Sequence, residues 1–196
     1  MLKEEVIAFF DRRASDWDAK MIRDDRIINS ILDNALVSEG KEVLDVACGT
    51  GVLIPDYLAR KVKSVTAVDI SPNMVNIAQS KFHQENVKIL CADVENVSFE
   101  HQFDCIVVYN AFPHFPDPEN LIRVLVSHLK SGGTLTVAHG MSKAQIDRCH
   151  FGEAKMVSNG LMPETELADI FEQYLEVVIK ISNEEMYQVV GYRGKE

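Results

Sequence analysis

The sequence predicts an α/β fold: a mostly parallel sheet with helices on both faces, closed by an antiparallel hairpin at the C-terminal end. Two observations carry this. Short apolar runs alternate with amphipathic helical stretches from residue 43 onward, which is the pattern of strands joined by right-handed crossovers. The last two strand-like runs, 174–182 and 185–192, are separated only by Asn183-Glu184, a gap too short for anything but an antiparallel pair.

The elements follow in order. Residues 1–40 read as a helical cap, with Leu2, Val6, Phe9 and Phe10 at helical spacing and Ile28, Ile31, Leu32, Ala35 and Leu36 repeating it. Strands are expected at 43–47, 65–69, 87–91, 103–109 and 133–138, with helices near 51–60, 73–84, 118–130 and 163–173. Ser71-Pro72 opens the second of these helices; the serine caps it, and proline at the first helical position sacrifices no hydrogen bond. The longest connection, 139–162, leaves a strand end, and such connections in compact enzymes often form lids or substrate walls. With no repeat, linker or low-complexity tract, 1–196 is expected to be a single domain.

Composition narrows the class. Twenty basic against thirty acidic residues give a net charge of −10, and no basic run is available to follow a phosphate backbone, so nucleic acid is not the expected partner. The start, Met1-Leu2-Lys3-Glu4-Glu5, does not resemble a signal peptide, and no apolar run approaches a membrane span. The cysteines at 48, 91, 105 and 149 form no CxxC pair, and three of them adjoin apolar runs where cysteine is usually a buried hydrophobe. A cytoplasmic protein without disulfides, monomeric or homodimeric, is expected.

Ligands of open α/β sheets bind beyond the carboxyl ends of the strands. After the first strand comes Asp45-Val46-Ala47-Cys48-Gly49-Thr50-Gly51, where glycine lets the backbone turn and approach a ligand closely. After the second comes Asp69-Ile70, and after the third Asp93-Val94. Each acid alone could merely cap the next helix. Three acids at three successive strand ends beside a Gly-x-Gly turn make a constellation. A dinucleotide fingerprint would need a third glycine where this chain has Ile54.

This constellation, Val43 to Leu53 with Asp69 and Asp93, resembles the cofactor site of class I S-adenosylmethionine (SAM)-dependent methyltransferases, which have a Rossmann-like seven-stranded sheet. The resemblance covers nearly the whole chain. It implies that Asp45, Ala47, Cys48, Gly49 and Gly51 face the methionine half of SAM, with Ala47 replacing a frequent glycine. It further implies that Asp69 accepts from the ribose hydroxyls, that Asp93 and the Val94 backbone hold the adenine edge, and that Ile70 and Met74 flank the ring. The end of the fourth strand, Asn110-Ala111-Phe112-Pro113, would face the methyl group; it keeps the asparagine of base methyltransferases but lacks their first proline. The following Pro113-His114-Phe115-x-Asp117-Pro118 resembles small-molecule enzymes related to ubiquinone and menaquinone C-methylation.

Expected function is therefore methyl transfer from SAM, leaving S-adenosylhomocysteine (SAH), to a small molecule. A nicotinamide-dependent oxidoreductase and a catalytically silent SAM-binding module are the alternatives. His114, His139 and His150 are candidate proton handlers, since imidazole titrates near neutrality. His114 could equally be a structural histidine bonding the next loop. Trp17, the only tryptophan, Phe112 and His114 are candidate acceptor contacts. No metal is expected: His139, Asp147, Cys149 and His150 match no metal-binding spacing.

Overall fold

A computed structural model describes residues 1–149 and 152–195. The candidate His150 lies outside the described residues. Seven strands form one sheet in the order β3-β2-β1-β4-β5-β7-β6: β1 Glu42–Val46, β2 Ser64–Asp69, β3 Val87–Cys91, β4 Phe103–Tyr109, β5 Leu129–His139, β6 Glu176–Ser182 and β7 Tyr187–Tyr192. β1 to β5 are parallel, while β7 runs antiparallel to both β5 and β6. The strand order reverses between β1 and β4, which opens a crevice at their carboxyl ends.

Burial on both faces explains the near-continuous apolar runs. Val43, Leu44 and Val46 in β1 and Ile106, Val107 and Val108 in β4 have no exposed surface, as central parallel strands require. Helix α6, Pro118–Ser127, buries Leu121, Ile122 and Leu125 against one face, and α8, Glu164–Glu172, adds Leu167 and Phe171 to the same cluster. Each such side chain contributes about 1.5–3 kcal/mol through burial.

The N-terminal cap is α1 Lys3–Arg13, a 3-10 turn Ala14–Asp16, α2 Trp17–Lys20 and α3 Asp25–Asn34. Asp24 caps α3 by accepting from Arg26 and Ile27 N–H. The other helices are α4 Ile54–Ala59, α5 Pro72–Lys81 and α7 Lys143–Cys149. At α5, Ser71 accepts from Met74 N–H and Pro72 follows as expected. Among the described residues no helix is long and apolar enough to cross a membrane.

Several boundaries depart from expectation for identifiable reasons. α4 begins at Ile54, because Gly51 adopts φ +85° and its N–H closes a turn onto Cys48 O. α6 stops at Ser127, and β5 starts already at Leu129, which pairs with Phe103. The hairpin turn is longer than Asn183-Glu184. The Asn183 carboxamide accepts from Glu185 and Met186 N–H and delays β7 to Tyr187. Cys91 is exposed, unlike the buried Cys48 and Cys105.

Candidate active site

One cleft, enclosing roughly 1100 Å³ of empty space partly open to solvent, lies at the strand-order reversal. Its floor comes from the carboxyl ends of β1, β2, β3 and β4, and its outer wall from the N-terminal cap.

Asp45, in β1, is buried and lines this cleft; its Oδ2 has no hydrogen-bond partner among the described residues. Burial, reinforced by Asp69 and Asp56, pushes its pKa up to about 8. The nearby Tyr57 hydroxyl favours the ionised form without making a well-formed hydrogen bond. A buried acceptor without a partner is costly. A cationic donor delivered by a ligand would satisfy it.

The turn after β1 reaches its shape through left-handed backbone at three alternate residues. Ala47, Gly49 and Gly51 take φ of +54°, +55° and +85°. For alanine this conformation costs about 1–2 kcal/mol, the structural meaning of its departure from glycine. Gly51 itself does not line the cleft. A Cβ there would lie 2.6 Å from Phe82 Cε2 and 2.9 Å from Ile54 Cδ1, so its role is packing beneath the turn.

Asp69 ends β2 and holds the same turn from the side. Its Oδ2 accepts from Gly49 N–H and its Oδ1 from Ser71 N–H, each at 2.8 Å. Burial raises its pKa, opposed by these backbone donors and by Ile70 N–H. Each carboxylate oxygen keeps a second lone pair for a ligand hydroxyl. Ile70, buried Met74 and Val94 line the cleft beside it.

Asp93, past β3, is engaged by the cap. Lys3 Nζ lies 2.5 Å from Asp93 Oδ2 and 2.7 Å from Glu95 Oε2. Burial works against ionisation of Asp93, but Lys3, Glu95 N–H and the Asn96 amide together lower its pKa. Glu95, whose side chain also accepts from Asn120 at 2.7 Å, lines the cleft. Neither Lys3 nor Glu95 belongs to a recognisable motif.

Two carboxylates pin the cap over this floor. Asp11 in α1 accepts from the Ser71 hydroxyl and from Asn73 N–H at 3.0 Å. Asp18 in α2 accepts from the Thr50 hydroxyl and pairs with Lys81 at 2.7 Å. Trp17, between these pins, lines the cleft and puts its Nε1 3.9 Å from where a Gly49 Cβ would stand.

At the end of β4, Asn110 lines the cleft in the left-handed region and accepts from Gly140 N–H at 3.0 Å. Tyr109 also lines it, and Gly140 leaves room for its hydroxyl: a Cβ there would sit 2.5 Å away. His114 faces the cleft from a short 3-10 turn, Phe112–His114. Its Nδ1 lies 2.6 Å from Val157 O. A carbonyl only accepts, so Nδ1 carries the proton and Nε2 is the basic nitrogen of the neutral ring.

Two candidates are placed elsewhere. His139, the last residue of β5, is buried beside Tyr187 at a ring separation of 6.1 Å and does not line the cleft. Phe112 is buried in the main core, where strand-end geometry turns it away from the cleft; its neighbours Phe115 and His114 face in instead. Among the described residues no three His, Cys, Asp or Glu side chains gather as a metal site.

Comparison with known proteins agrees with this geometry. Residues 43–133 match a family described as a methyltransferase domain. The chain is 34% identical over 139 residues to a malonyl-[acyl-carrier protein] O-methyltransferase of Acetivibrio thermocellus, covering 69% of this chain and 49% of that protein. It is 33% identical over 142 residues to a ubiquinone biosynthesis O-methyltransferase of Coxiella burnetii, covering 68% and 60%. The chain thus spans about half to three fifths of the length of these relatives. Among solved structures, the N-methyltransferase NodS of Bradyrhizobium japonicum in complex with SAH superposes with a TM-score of 0.73 at 16% identity, over 96% of this chain and 98% of that one. A SAM-dependent methyltransferase from Aquifex aeolicus gives 0.69 at 21% identity, over 84% and 88%. The structural likenesses speak for the fold, and the sequence matches show residues 43–133 to be similar to a methyltransferase domain.

Proposed function

We propose that this chain transfers a methyl group from SAM to a hydroxyl of a small-molecule acceptor. The observation that carries the reading is the set of three acids at successive strand ends facing one cleft, with the buried Asp45 Oδ2 left for a cationic amine. Both curated relatives described above are O-methyltransferases by name, which favours oxygen as the accepting atom. The acidic charge and a cleft without a basic track argue for a small molecule over nucleic acid. The unpaired thiols of Cys48, Cys91 and Cys105 fit a reducing, cytoplasmic setting.

Bound SAM supplies an activated sulfonium methyl that needs no acid at its leaving group. The work left to the protein is alignment and exclusion of water. Alignment of this kind contributes up to about 7–11 kcal/mol of barrier reduction. Asp45 would hold the amino group, Asp69 the ribose hydroxyls and Asp93 the adenine edge, with Ile70 and Met74 against the ring. The cap, pinned by Asp11 and Asp18, closes the cleft from outside. His114, its Nδ1 fixed on Val157 O, would present Nε2 to the acceptor hydroxyl as general base.

Incubation with methyl-labelled SAM and a broad pool of phenols, quinols and carboxylic acids tests the proposal. Label should move to an acceptor, and His114→Asn should reduce kcat about 10²-fold or more while SAH affinity stays within twofold. Tight SAH binding without transfer to any acceptor would favour a silent SAM-binding module. Binding of a nicotinamide cofactor but not SAH would overturn both.

A further inference from the structure

Phe10, Trp17, Met21, Val52, Tyr109 and Phe115 give the cleft an apolar, largely aromatic wall. Phe10 organises it: its ring meets Trp17 edge-on at 5.6 Å and His114 edge-on at 5.0 Å. Such pairs hold each ring in place and present a flat apolar wall. Polar atoms on this side are few: the Trp17 indole, the Tyr109 hydroxyl, the Asn110 amide and the His114 ring.

The charges are one-sided. Asp45, Asp69, Asp93 and Glu95 line the cleft, against a single lysine or arginine, Lys3. That lysine is held by Asp93 and Glu95. Arg23, which approaches from behind Val52, donates to Val52 O and pairs with Asp25 and Asp56. A carboxylate or phosphate entering here would leave water for aromatic walls and meet no ammonium or guanidinium among the lining residues except Lys3, which Asp93 and Glu95 already engage. Burying an unpaired charge is strongly disfavoured, and like charges in proximity add to the penalty.

We infer that the acceptor is an uncharged aromatic hydroxyl compound, seated against Phe10, Trp17 and Phe115, and that carboxylate- or phosphate-bearing acceptors are rejected. This rests on the methyl-transfer reading and narrows it. It separates the chain from its malonyl-[acyl-carrier protein] relative, whose named acceptor carries a carboxylate. As the new O–CH3 bond forms, the S–CH3 bond breaks with its electron pair kept by sulfur, and the hydroxyl proton passes to His114 Nε2 and then to solvent. Atoms and charge balance without a further reagent.

Trp17, the only tryptophan, makes the test direct, because its fluorescence reports on this wall alone. The full chain saturated with SAH is titrated with methyl 4-hydroxybenzoate and with 4-hydroxybenzoate, two phenols differing in one charge. The neutral ester should quench saturably with a Kd at least tenfold below that of the acid, and it should take up label from SAM in preference to the acid. Met21→Arg, which adds a cation to the wall, should shrink the gap at least fivefold. Equal or tighter binding of the acid, or no quenching by either phenol while SAH binds, would overturn the inference. Failure of SAH to bind would instead sink the methyl-transfer reading, and the acceptor class with it.

Discussion

The two ends of the cleft are made of different materials. At the cofactor end Asp45, Asp69 and Asp93 each leave a parallel strand whose register is fixed by its neighbours, with Asp45 opposite Ala67 and Asp69 opposite Cys91. Backbone N–H groups of Gly49 and Ser71 then lock Asp69 in place. At the aromatic wall Tyr109 ends β4 and Val52 lies in the turn after β1, while Phe10, Trp17 and Met21 come from α1, α2 and the connection before α3, and Phe115 follows the 3-10 turn after β4. These are surface segments held by side-chain pins. A ladder places a side chain through main-chain bonds that do not depend on side-chain identity, whereas a pinned helix places it through particular side-chain contacts.

Breaking the rigid end should have the largest effect. Asp69→Ala releases the Gly49 and Ser71 N–H groups and, on the proposed assignment, removes the acceptors for two ribose hydroxyls. Charged hydrogen bonds contribute about 1.5–3 kcal/mol each, so SAH affinity by calorimetry should fall at least about a hundredfold.

Asp45→Asn should weaken SAH binding nearly as much while stabilising the free protein, and the sign is fixed by the pKa. Folding raises the Asp45 pKa from an ordinary 3.8 to about 8. The folded state thus holds a proton that the unfolded chain has released, and stability from this group falls as pH rises from about 4 to about 8. Thermal melts should show the Asn variant gaining on the wild type across that window and level with it below. For the same reason SAH affinity of the wild type should rise between pH 6 and 8, since binding requires the ionised carboxylate.

The boundary between the two ends is Lys3. Its pairs with Asp93 and Glu95 are partly exposed, and such pairs contribute about 0.2–1 kcal/mol. On the proposed assignment an adenine amine would compete with this ammonium for Asp93, so Lys3→Met should tighten SAH binding two- to fivefold. The smallest effect belongs to Ala47→Gly. It relieves left-handed strain at φ +54° but adds unfolded-state entropy of about 0.4–1 kcal/mol. The net gain in stability by denaturant melts should be below about 1 kcal/mol, with SAH affinity unchanged.

Legibility in the sequence follows the same division. The parallel core, the Gly49-x-Gly51 turn and the three acids could be read because strand periodicity and strand-end placement are local signals. Ile54, where a dinucleotide fingerprint would need glycine, is buried and packs beneath Gly51. Lys3 and Glu95 could not be read, being 92 residues apart and joined only by the fold. Tyr109 looked like an ordinary strand residue, and only the absence of a Cβ at Gly140 reveals its hydroxyl's place. Phe112 and Phe115 were indistinguishable until a 3-10 turn decided which one faced the cleft.

The central claim is that the rigid end is a SAM site, and calorimetric titration of the full chain with SAH at pH 8 addresses it most directly. One molecule of SAH per chain should bind with micromolar Kd, with heat lost in Asp69→Ala. No heat with the folded wild-type chain, or unchanged binding in the variant, would contradict it.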